Sequence, residues 1–252
     1  LFGGVYLLNH IPEPNEEDKK LRSPRPAMDV TERRKFFREF WPGIVLLILV
    51  YMMLTGLRDL RDNFVVEIWA GLDMKVAPEL LTQTEIPITI ALLVLMSSLV
   101  LVKNNRQAFF LNHWIIFSGF ALSILCTLGL NAGWISPFHW MVGVGTGVYM
   151  AYIPFNSLLF DRLIATLQSG GNVGFLMYLV DSFGYLGSSL ILVASQLGGF
   201  GDISWLYFYS QAVILFLSIS MVLIAGSFFY FQTKIKRKTK PHSPSLTLLK
   251  PL

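Results

Sequence analysis

Arg58, Asp59, Arg61, Asp62 and Glu67 crowd one short stretch, Gly56–Trp69, of an otherwise apolar segment. Ionisable groups among hydrocarbon are costly and persist where they are paired or face a wet cavity, which makes them candidates for function. A guanidinium grips phosphate or carboxylate through a fork of N–H donors, so Arg58 and Arg61 are candidates for holding an anionic group. At about 100° per residue on a helix, Thr55, Arg58, Asp59 and Asp62 share one face, and Leu57, Leu60, Phe64 and Ile68 take the other. Arg58 and Asp62 are four residues apart and placed to pair. Arg61 lies off that stripe and points to a neighbouring helix. The competing reading is an internally neutralised cluster that clamps helices together.

Asp181 is a second candidate, with no basic residue near it in sequence. Tyr178, Gly184, Tyr185 and Ser188 recur on its face at helical spacing, which predicts one polar stripe turned to the bundle interior. A lone carboxylate among helices is the type of group that takes up and releases a proton in a coupled transporter. Its structural alternative is a pair with Arg58 or Arg61. Pro154 predicts a kink near Asn156 that frees backbone carbonyls. Glu85, before Pro87 at the mouth of a helix, and Lys103, Arg106, Asp161 and Arg162 at helix ends are placed to gate a cavity, although solvated end charges are the simpler account. Gly143, Gly145 and Gly147 permit close helix approach. His113 and His139 read as interfacial anchors.

The elements that position these residues follow from composition. Of 252 residues, 54% are hydrophobic and 14% charged, with a mean hydropathy of +0.56. A soluble domain carries about a quarter charged residues, so this chain belongs in a bilayer. Cys126 is the single cysteine and excludes a disulfide framework. A hydrocarbon core about 30 Å thick needs about 20 apolar residues per crossing helix. Six runs meet that need, near Trp41–Trp69, Ile86–Val102, Phe109–Leu130, Ile135–Phe160, Val173–Leu197 and Ile203–Phe231. The predicted fold is therefore an all-α membrane protein of six transmembrane helices, spanning residues 40–232.

Basic residues stay on the cytoplasmic side. Of the 20 Lys and Arg, only Lys75 falls on the opposite set of connectors, and Arg58 and Arg61 fall within the first span. Both ends of the segment are thus expected in the cytoplasm. The apolar start, residues 1–9, reads as the end of a preceding helix, and residues 10–39 as a charged cytoplasmic loop. Within that loop Thr31–Glu39 reads as a short amphipathic helix capped by Thr31, with Phe36, Phe37 and Phe40 towards the membrane. Residues 233–252 read as a basic cytoplasmic tail.

A helix end, a long charged loop and six helices with both ends inside resemble the second half of a major facilitator superfamily transporter. Gly56–Trp69 (GLRDLRDNFVVEIW) and Tyr152–Gly187 (YIPFNSLLFDRLIATLQSGGNVGFLMYLVDSFGYLG) are similar to a bacterial family of unknown function that is itself like that superfamily. The resemblance implies two three-helix units, an N-terminal six-helix half as partner, a solute bound near the midplane between halves, and a bacterial cytoplasmic membrane. In organic-phosphate antiporters of the superfamily the corresponding first helix carries a substrate arginine, a loose parallel to Arg58.

The function expected is secondary-active transport of a small polar or anionic solute by alternating access, with proton coupling through Asp181. A non-transporting membrane sensor or scaffold is the rival. No G-x-S-x-G, H-E-x-x-H, phosphate-binding glycine-lysine loop or Asn-Pro-Ala pair occurs, so neither an enzyme, an ATPase nor a water channel is expected. No cofactor, metal or nucleic-acid partner is called for, because the positive charges are spent on topology.

Overall fold

The computed structural model describes Tyr6, Asn9 and residues 28–168, 170–196 and 204–239. The described residues are helical, with no strand among them. Apart from Tyr6 and Asn9, the expected helix end at 1–9 and most of the 10–39 loop lie outside these residues, as does the tail from 240 onward.

Helix α1 (Val30–Asn63) opens on a capping box. The Asp29 carboxylate accepts from the Glu32 N–H at 2.7 Å, and the Glu32 carboxylate accepts from the Asp29 N–H at 3.0 Å, so both orphan donors are satisfied. The cap is therefore Asp29 and not Thr31. The expected amphipathic helix is also not a separate piece, because α1 runs through Pro42 without a break. Phe36 and Phe40 are buried rather than turned to lipid. Phe36 lies against Gly171, and Arg33 sits over the Phe175 ring at 5.9 Å, so packing inside the bundle outweighs adsorption to the surface.

The predicted first span divides at Phe64, where α1 gives way to α2 (Val65–Gly71). There the Phe64 ring stacks on Trp205, centroids 3.6 Å apart. Helix α3 (Pro78–Val100) begins earlier than predicted because Pro78 suits the first turn, where its missing N–H costs nothing. Helix α4 (Asn105–Asn131) is capped by Asn104, and α5 (Pro137–Pro154) by Ser136. After α5 come a π-helical turn, Phe155–Leu159, and α6 (Phe160–Leu167). Helices α7 (Val173–Gln196) and α8 (Trp205–Thr239) follow.

Five of these, α1, α3, α4, α7 and α8, are long and apolar enough to cross a membrane. The predicted fourth span is not among them. The π turn divides it, and its glycines and tyrosines dilute its apolar content. Its helical backbone nonetheless continues from Pro137 to Leu167.

Helix α1 lies centrally, against α7, α8 and α5. Helix α5 in turn packs on α4 and α3, and α4 packs on α8. Apolar area alone drives little helix association in lipid, so close backbone approach and buried hydrogen bonds hold such bundles. Gly147 of α5 and Gly119 of α4 meet backbone to backbone, the close approach the glycine spacing predicted. Across the same interface the Trp140 indole donates to Thr127 Oγ1 at 3.1 Å, and Thr127 donates to the Ser123 carbonyl at 2.8 Å. Ile86, Ile90, Leu93 and Val94 leave one face of α3 apolar and exposed.

Candidate functional site

A polar network threads between α1, α5 and α7. On α1 the Arg58 guanidinium reaches Asp59 Oδ1 through Nη2 at 2.6 Å and Nε at 2.9 Å. It also lies over the Tyr152 ring of α5, 4.3 Å from the centroid. The other Asp59 oxygen accepts a short hydrogen bond from Ser188 of α7. Two turns earlier on α1, the Tyr51 hydroxyl donates to Asp181 of α7 at 2.7 Å and lies 3.4 Å from the Tyr152 hydroxyl. The Tyr51 and Tyr152 rings stack with centroids 5.7 Å apart, and Asn156, in the π turn, donates to the Tyr152 hydroxyl at 3.5 Å. The sequence offered the Arg58–Asp59 face, the Asp181–Ser188 stripe and Asn156 as separate candidates, and the fold brings them into one network.

That network exists because small residues let the helices close. A Cβ on Gly184 would stand 2.8 Å from the Tyr51 ring and 3.1 Å from Thr55 Oγ1, so only a glycine there lets Tyr51 reach Asp181. The π turn adds a residue to one turn directly after Pro154, and such turns recur at functional sites.

A second cluster joins α1, α3 and α5. Arg61 is buried and turned to a neighbouring helix, with Nη2 on Glu85 Oε1 of α3 at 2.6 Å and Nη1 on Asp62 at 3.4 Å. The Tyr149 hydroxyl of α5 donates to both Asp62 oxygens at 3.0 and 2.9 Å, and Arg61 lies 5.7 Å from the Tyr149 ring centroid. Arg61 Nε and the Tyr209 hydroxyl are buried without a hydrogen-bond partner.

Several expectations need correction. Arg58 pairs with Asp59 rather than Asp62, because Tyr149 and Arg61 already occupy Asp62. Asp181 pairs with neither arginine; its partner is Tyr51. The polar stripe of α7 is divided: Gly184 and Ser188 are buried against α1, whereas Tyr178 and Tyr185 are exposed. Glu85 is two turns inside α3 and ion-paired, not a solvated helix start. At the opposite end Arg162 donates to Asn105 Oδ1 at 2.6 Å, while Lys103 and Arg106 are exposed. His113 is buried rather than interfacial, placed between the Phe109 carbonyl at 3.0 Å and Ser227 Oγ of α8 at 3.3 Å. Tyr51, Tyr149 and Tyr152 were missed, although a tyrosine hydroxyl in mid-span needs a partner and that need could have flagged them. Among the described residues no group of three His, Cys, Asp or Glu could hold a metal ion.

Five long apolar helices packed around polar side-chain networks mark the described residues as those of a multi-pass, all-helical membrane protein. The chain belongs to the family of unknown function DUF5690, whose model matches residues 1–234. No curated protein and no solved structure matches it.

Proposed function

We propose that this chain forms half of a secondary transporter that carries a small polar or anionic solute by alternating access, with Asp181 taking part in proton coupling. The carrying observation is the network Asp181–Tyr51–Tyr152–Asn156 with Arg58–Asp59–Ser188. It joins three helices and reaches half-exposed positions on α7 and α5, where a second bundle would complete a cavity. The packing scheme supports this. Let the six spans be α1, α3, α4, α5 with α6, α7 and α8. Exchanging the first three for the last three returns the main neighbours: α1 with α7 becomes α5 with α3, α1 with α8 becomes α5 with α4, and the α4–α8 and α1–α5 pairs map onto themselves. Two three-helix units related in this way are the ground plan of major-facilitator halves. The basic residues favour cytoplasmic ends for the segment in a bacterial cytoplasmic membrane.

A sensor or scaffold is the second reading, favoured by the ion pairs Arg58–Asp59 and Arg61–Glu85, which neutralise both arginines internally. Alternating access separates the two readings. With Cys126 replaced by serine, Tyr185→Cys should react with an impermeant maleimide from either side of the membrane, in right-side-out and in inverted vesicles. Labelling from one side only favours the scaffold.

A further inference from the structure

The charges along the proposed cavity face do not balance. Arg58 is held by Asp59 at 2.6 Å and Arg61 by Glu85 at 2.6 Å, with Asp62 also beside Arg61. Both guanidiniums are therefore spent, and a negatively charged solute would have to compete with a carboxylate already in contact. Asp181 is left over. Among the described residues it has no ion-pair partner, and its one hydrogen-bond donor is the neutral Tyr51 hydroxyl. It stands half-buried at the edge of the α1–α7 contact, with Gly184 and Ser188 on the packed side. On the open side are two aromatic rings, Tyr178 one turn before it and Tyr185 one turn after it, 78% and 59% exposed.

A carboxylate between aromatic faces is the chemistry that binds organic cations, the carboxylate supplying charge and the ring faces their negative quadrupole. The molecule contains an occupied example of that arrangement two helical turns away, where the Arg58 guanidinium lies between the Asp59 carboxylate and the Tyr152 ring. We propose that Asp181, flanked by Tyr178 and Tyr185, binds the ammonium or guanidinium group of an organic cation. This rests on the transport reading and takes its solute to be a polar organic cation instead of an anion.

The test is the melting temperature of the full-length protein in detergent, with tetramethylammonium or methylguanidinium chloride against sodium chloride at equal ionic strength. A ligand bound by the folded state raises that temperature in proportion to its occupancy. The expected result is a rise with the organic cations that is lost in Asp181→Asn and kept in Glu67→Gln, where the carboxylate removed is exposed and remote. Tyr185→Leu changes an exposed side chain outside the packing and should shrink the rise, which keeps the test sound if Asp181→Asn folds poorly. Equal responses to sodium and organic cations, or a rise that survives Asp181→Asn, would overturn the assignment. Stabilisation by acetate or phosphate alone would do the same. Two-sided labelling of Tyr185→Cys together with any of these negative results would leave transport standing and remove only the cation. One-sided labelling would count against transport whatever the cations do.

Discussion

Gly145 of α5 lies directly against the guanidinium of Arg61. A Cβ built on it would stand 2.8 Å from Arg61 Nη2 and 2.5 Å from Ile88 Cδ1. The arginine reaches Glu85 through space that only a missing side chain provides. Gly145→Ala should cost about 1–3 kcal/mol, the usual penalty for overpacking a filled interior. Gly226→Ala, whose Cβ would meet only Leu46 Cδ1 at 3.5 Å, should be neutral or gain up to about 1 kcal/mol from helix propensity. Thermal unfolding of the two variants in one detergent compares them directly.

Removing one partner of the Arg61 pair should hurt more than removing both. Glu85→Gln leaves a buried guanidinium with Asp62 at 3.4 Å as its remaining ion-pair partner, at a cost of about 1–3 kcal/mol. Replacing Arg61 by Met in the same chain removes the stranded charge and should recover much of that loss. A double-mutant cycle on melting curves measures the coupling, and additive losses would show that the pair is not a unit.

The buried bridge between α4 and α8 predicts a smaller effect. Ser227→Ala strips His113 Nε2 of its neighbour at 3.3 Å and should cost about 1 kcal/mol, the worth of one net hydrogen bond. Thr233→Ala, on an exposed turn of the same helix, should change stability by a few tenths at most.

The proposed orientation, with the basic residues on the cytoplasmic side, can be tested by labelling. Asn131→Cys, at the exposed end of α4, should react with an impermeant maleimide added to intact cells, and Arg106→Cys only after permeabilisation. The reverse pattern would invert the topology.

The spans were legible because hydropathy and helix length are one-dimensional properties. Five of them are long, apolar helices in the structure, and Arg61, off the charged stripe, was read as facing a neighbouring helix, where it meets Glu85. What a helical wheel cannot see is competition between helices. Arg58 and Asp62 have the spacing of a pair, yet Tyr149 from α5 takes Asp62, and Arg58 folds back onto Asp59 under the Tyr152 ring. Asp181 looked solitary because Tyr51, 130 residues away, carries no charge to advertise itself. The segment Thr31–Glu39 was legible as helical, but not that it continues through Pro42 into the first span or that Asp29 caps it.

The π turn at Phe155–Leu159 has a consequence for how this chain can change length. A deletion within a regular helix swings every later side chain by about 100°, which in α6 would carry Phe160, Leu163 and Leu167 out of the core they fill. A wide turn already holds one surplus residue. Losing one from Asn156–Leu158 would let that turn relax to ordinary α-helical spacing with both flanking helices in place. Here, and at no ordinary α-helical turn of this span, the protein can shorten without turning itself inside out.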